Sequence, residues 1–311
     1  RDRCKTFGNQ KVPEGWIIVA AGNPPEFNRS VREFDMVTYD RLRVINIDAD
    51  LEVWREYARE REIHNAILSY LDIRPQNFYR VEADVDGLKF ITARGWEDMS
   101  SLMYVYEELG ISINAGVVGE FLHNEDIAED FGAYYDLYNK YRDDYGINNI
   151  LMGNAAPDIY RRMVEADYDE RLTVVNLLLD TLNKHFKYAA SLKADTDNWY
   201  KSIKDKIKAG EDAAAIDKEK AEFAAQAERL ESVEKQTLAK LENAFDLFEG
   251  SKQEISREDI GKLDQEMLIF VTGLTTGKES SSFLLVNPCD RYKSYSAMYL
   301  KGGRRNQLLK E

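Results

Sequence analysis

The sequence has 311 residues, with 42 Lys plus Arg against 56 Asp plus Glu, a formal charge of −14. That balance works against a nucleic-acid footprint, which needs a basic face, and against an anionic membrane surface. Hydrophobic residues make up 44% of the chain, enough to build a sizeable core, and the length suggests two domains. No run approaches the roughly 20 apolar residues that span a bilayer. Cys4 and Cys289 stand at opposite ends and form no disulfide framework, so a reducing, cytoplasmic setting is expected. His64, His123 and His185 show no metal-ligand spacing, and no metal site is expected from them. The sequence opens on Arg1 rather than Met, and the expectation is of a protein whose N-terminal part is missing.

In chain order, Trp16-Ile-Ile-Val-Ala-Ala21 is a short continuous apolar run stopped by Gly22-Asn23-Pro24-Pro25. It predicts a buried strand of a parallel sheet, where both faces are covered and alternation disappears. Arg43 to Ile47 predicts a second strand. Asp50 is placed to cap a helix running to about Glu62, with Leu51, Trp54, Tyr57 and Ala58 on one face. Residues 78 to 92 read as a hairpin turning at Asp86-Gly87. Helices are predicted at about 95–109, 113–122 and 124–142. Pro157 opens a long helix, within which Tyr168, Leu172, Val175, Leu179, Leu182, Phe186 and Ala189 form a seam of period 3.5. A second long segment, about 212 to 248, carries Ile216, Phe223, Ala227, Leu230, Leu241, Ala244 and Phe248, interrupted by Lys220, Glu234 and Thr237. The two predict a coiled-coil-like antiparallel hairpin, with Trp199, Ile203 and Ile207 on the connection. A third helix, 256 to 272, opens with Ser256 and Asp259 at capping-box spacing.

Asn23 follows the first predicted strand, at the sheet edge where ligands of open α/β folds sit. Its amide could orient a water or touch a phosphate, although Gly-Asn-Pro is also good turn chemistry, and spacing alone favours the turn. Arg29, Arg32, Arg41 and Arg43 cluster just beyond it. Arg41 could offer a partner's anion a planar fork, and composition alone favours a surface arginine paired with Asp40 or Glu33. Gly273-Leu-Thr-Thr-Gly277-Lys278-Glu279 fails as a phosphate loop: the glycines are one residue too close, and Glu279 stands where Ser or Thr should hold Mg²⁺. Asp195-Thr-Asp197-Asn198 fails as a calcium loop for want of the glycine and closing glutamate.

The segment from Gly15 to Asp35, followed by Tyr39-Asp40-Arg41-Leu42, resembles the sensor-1 strand and arginine-finger region of MoxR-like AAA+ ATPases. Thr92-Ala93-Arg94-Gly95-Trp96 resembles their sensor-2 motif. The likeness is specific over about residues 10 to 145. It is looser over the helical remainder, which is similar to a C-terminal extension in one bacterial branch of that family.

The resemblance implies a mainly α fold with a small α/β remnant. Residues 1–49 would be the end of the AAA+ core, 50–153 a helical lid with a β-hairpin, and 154–311 a coiled-coil-like extension. Asn23 would position the attacking water, Arg41 would enter a neighbouring subunit's site, and Arg94 would couple nucleotide to lid. Such positioning and charge-neutralising tasks carry most of phosphoryl transfer. ATP and Mg²⁺ would be held mainly by a phosphate loop and an acidic motif that these residues lack, so this segment alone would not hydrolyse ATP. The complete protein would be a ring, a hexamer, remodelling a protein client such as one bearing a von Willebrand factor A domain. A non-enzymatic helical scaffold that binds a partner through residues 157 to 248 is the rival expectation.

Overall fold

A computed structural model describes residues 6–7, 10–17, 19–22, 36–40, 42–84, 87–210, 212–254 and 260–301. The chain is mainly helical and divides into two units, Arg1–Ala49 and Asp50–Glu311. In the first, β1 (Thr6–Phe7) pairs antiparallel with β2 (Gln10–Lys11), and a single helical turn, α1 (Met36–Tyr39), follows. The two strands predicted from apolar runs are not formed among the described residues. Ile17 is 83% exposed and Ile45 82%, and both runs lack ladder bonds. A strand is a pairing rather than a property of a run. The only described strands of this unit, β1 and β2, pair with each other, and the described sheets of the chain are both antiparallel.

The second unit begins as the sequence predicts. Asp50 accepts hydrogen bonds from the amides of Glu52 and Val53, at 2.8 and 3.1 Å, and starts α2 (Leu51–Glu60). Trp54 and Ala58 are buried, whereas Tyr57 faces solvent and donates to Glu97. His64 caps α3 (Asn65–Ile73) by accepting from the Ala66 amide through Nδ1. The hairpin pairs β3 (Arg80–Asp84) with β4 (Gly87–Ile91). Its last pair is Asp84 with Gly87, so Gly87 belongs to the strand rather than to the turn.

Then come α4 (Ala93–Leu109), α5 (Ala115–Gly119), α6 (Glu125–Tyr145), α7 (Ile147–Leu151) and α8 (Pro157–Glu165). Pro157 occupies the first turn as expected, but the helix it opens is short. Ala166 is extended, and Asp167 accepts from the Glu170 amide at 2.8 Å, capping a new helix, α9 (Tyr168–Ala209). The seam is real: Leu172, Val175, Leu182, Phe186 and Ala189 are all buried. It packs against α10 (Ala213–Gln253) as an antiparallel hairpin. Trp199, Ile203 and Ile207 lie within α9, and the chain turns at Gly210, whose positive φ of 75° ends the helix.

A 3₁₀ turn (Ile260–Leu263) leads into α11 (Asp264–Thr276), so the third helix starts later than predicted; Ser256 and Asp259 lie outside the described residues. Gly273 is a packing glycine inside α11, where an added Cβ would meet Leu179 Cδ1 at 2.6 Å. The helices α12 (Lys278–Val286) and α13 (Asp290–Ser296) close the unit. One continuous apolar core joins residues from Trp54 to Tyr299, drawing on both sides of residue 153.

Candidate functional site

Of the three residues singled out from the sequence, Asn23 and Arg41 lie outside the described residues, as do Arg29 and Arg32. Arg43 is exposed on an irregular stretch. Arg94 is described, and the four residues around it each have a local task. Thr92 is extended and its hydroxyl accepts from the Gly95 amide at 3.2 Å, which satisfies an orphan donor of the first turn of α4. Ala93 packs against the core. Gly95 leaves room for the main chain at Phe121, whose carbonyl oxygen would stand 2.9 Å from an added Cβ. Trp96 is fully buried, donates from Nε1 toward the carbonyls of Asn77 and Phe78 at 3.3 and 3.1 Å, and packs on Tyr70 and Phe131.

Arg94 is the exception. Its side chain is exposed, and it makes no ion pair among the described residues. It stands in the first turn of a helix whose first turn holds no acidic residue. A helix N-terminus disfavours a cation, so nothing local rewards a guanidinium there. A planar, always-charged fork presented by a rigid helix start is suited to an oxyanion.

Behind the motif lies a polar network that the sequence did not reveal. Tyr70 donates to Asp130 at 2.6 Å and accepts from Asn77 at 2.6 Å, and burial pushes its phenol well above the usual range. Arg74 reaches Asp169 at 3.3 Å and Asp130 at 3.9 Å. Tyr70, Arg74, Asp130 and Asp169 line a cavity of about 190 Å³ with Tyr134 and Thr173. The tyrosines of α6 pack this region onto α9: Tyr134 donates to Ser69 at 2.6 Å and lies 3.3 Å from the Thr173 hydroxyl, and Tyr145 donates to Glu170 at 2.8 Å. The tyrosines along 134–145 stand at helical spacings, a pattern that fits packing between helices but does not name these partners.

A second cavity, of about 390 Å³, is lined by Glu107, Ser112, Tyr135, Asn139 and Arg142. Glu107 takes hydrogen bonds from His64 at 3.2 Å and Tyr135 at 2.9 Å, and the His64 bond leads in holding its carboxyl down to about 2. Among the described residues no group of His, Cys, Asp and Glu is arranged to hold a metal ion. No described helix is long and apolar enough to cross a membrane. Compared with known proteins, the chain matches no family model, no curated protein and no solved structure.

Proposed function

We propose that the chain is part of a MoxR-like AAA+ ATPase, in which residues 1–49 end the nucleotide-binding core, 50–153 form the lid and 154–311 the extension. One observation carries this reading. In Thr92-Ala93-Arg94-Gly95-Trp96, four residues have a local structural task and Arg94 has none. A phosphate oxygen is the partner its chemistry fits. On this reading Arg94 grips the nucleotide phosphates, Asn23 orients the attacking water, and Arg41 brings positive charge to the neighbouring subunit's nucleotide. ATP supplies the phosphoryl group and Mg²⁺ neutralises its charge, both held by elements that residues 1–311 do not contain. The ring, a hexamer in the cytoplasm, remodels a protein client.

The test uses the complete gene product. Arg94→Ala is expected to weaken ATP binding about tenfold or more, the scale of one lost hydrogen bond to a charged group. Arg41→Ala is expected to leave binding intact and cut turnover by roughly 10³ or more. Unchanged affinity and turnover in Arg94→Ala overturns the reading. The hairpin of α9 and α10 favours a second reading, a non-enzymatic scaffold, and a complete protein that binds no nucleotide decides for it.

A further inference from the structure

The two long helices leave the body of the unit. The continuous core takes nothing from α9 beyond Ala189 and nothing from α10 before Val233. Farther out, Leu192, Ile203 and Ile216 are buried yet stand apart from that core. There the helices hold each other: Trp199 packs on Phe223 at 5.9 Å, and Glu219 takes Lys206 at 2.8 Å and the Trp199 indole at 3.0 Å. About 20 residues of each helix, on the order of 30 Å at 1.5 Å per residue, therefore form an arm.

The root of the arm is bonded to α2, α3 and α6, and α4 in turn is held by α3 and α6, through the His64 amide donating to Ser100 at 2.8 Å and Trp96 packing on Tyr70 and Phe131. Asn176 on α9 donates to Ser69 at 2.9 Å and to Asp72 at 3.2 Å, and Asp72 takes Arg55 at 2.6 Å. Tyr134 on α6 bridges Ser69 and Thr173. Asn65 on α3 bonds Asp180 on α9. Each turn of chain between α6 and α9 is braced as well. Arg162 joins Asp144 at 3.2 Å to Glu170 at 3.1 Å. Beside Gly153, Asn243 donates to the Leu151 carbonyl at 2.9 Å. Arg171 donates to the Ala166 carbonyl at 2.6 Å, across the break before α9. A hinge needs a few residues free to absorb a change in φ and ψ, and side-chain bonds span each of these turns.

We infer that α4 and the α9–α10 arm move as one lever, so that the anion held by Arg94 sets the position of the arm's tip. This rests on the reading of Arg94 as a nucleotide-sensing residue. A rotation of the whole lever by about 15°, the size of a known rigid-body switch, carries a tip some 60 Å along α9 by on the order of 10 Å. Tyr134 and Asn176 act as positioning residues at the joint.

Pulsed electron paramagnetic resonance on the complete gene product, without its native cysteines, tests this. Spin labels at Asp98→Cys and Lys208→Cys, both exposed, report on the lever itself. That distance is expected to be narrow and unchanged between nucleotide-free, ADP and ATP-analogue states. Single labels at Lys208→Cys in neighbouring copies of the ring are expected to shift by on the order of 10 Å between ADP and analogue. Tyr134→Phe with Asn176→Ala is expected to broaden the first distribution and erase the second shift while ATP affinity is kept. Tyr134→Phe alone gives a milder version that preserves the fold. An Asp98–Lys208 distance that follows the nucleotide, or tips that stay fixed while ATP is turned over, overturns the lever. Absence of nucleotide binding, measured on the same samples, overturns the reading of Arg94 as well and so is told apart from failure of the lever alone.

Discussion

Gly95 sets how closely α4 approaches the chain at Phe121. Alanine there would favour the helix by up to about 1 kcal/mol, but its Cβ would press on a main-chain oxygen at 2.9 Å, which cannot swing aside as a side chain would. Gly95→Ala is therefore expected to destabilise the unit by on the order of 1 kcal/mol or more, read from the denaturant midpoint, and to disturb Arg94 beside it. A second test is the acid limb at Glu107. Its carboxyl is held below its ordinary value of 4.5, down to about 2, chiefly by the His64 hydrogen bond. A depressed carboxyl stabilises the fold above its unfolded value and loses that contribution as pH falls through the folded value. Glu107→Gln is thus expected to be less stable than the parent at pH 7, with the gap closing between about pH 4.5 and pH 2 in chemical denaturation. The helix start around Arg94 was legible because its residues are contiguous. The His64–Glu107 bond was not, because 43 positions separate partners that only the packing of α3 against α4 brings together.

Elements were legible where period and cap agree. The α9 seam and the Asp50 cap follow directly from spacing. The break between α8 and α9 did not, because apolar periodicity on either side masks a two-residue interruption at Ala166 and Asp167. Arg171 holds that break. It donates to the Ala166 carbonyl and pairs at 2.6 Å with Glu266 on α11, which is wholly buried. Among the described residues Glu266 Oε2 has no hydrogen-bond partner, so the pair is incompletely satisfied, and its net contribution is small beside the cost of splitting it. Glu266→Ala leaves a guanidinium buried without its counter-ion and is expected to cost about 3–5 kcal/mol. Arg171→Met with Glu266→Leu is expected to recover most of that loss. Equilibrium unfolding of the two variants checks both, and equal losses would show that volume rather than charge decides at this site. The apolar runs at 16–21 and 43–47 misled for a related reason, since a continuous run specifies burial only when another strand offers its edge.

At the scale of the molecule, the core defines what must fold together. It begins at Trp54, takes every long helix of the second unit, and draws no described residue from 1–49. Core burial, worth roughly 25 cal/mol per Å² of apolar surface, therefore stabilises residues 50–311 through described residues of that unit itself. The long-range polar bonds that complete it, from Asn176 to Ser69 and from Arg291 to Asp246, also start and end inside that unit. Removing residues 1–49 is accordingly expected to leave a single cooperative thermal transition, with a midpoint within a few degrees of the parent. Since 1 kcal/mol moves the midpoint of a domain of this size by roughly 2–4 °C, a fall of more than about 10 °C would mean that several kcal/mol of stability come from the first unit. The same truncation leaves Thr92, Gly95 and Trp96 in place around Arg94, so the helix start would persist without the segment that carries Asn23 and Arg41. A truncated protein that melts like residues 1–311 would show that the stability of the helical unit, and with it the helix start that presents Arg94, is specified within residues 50–311.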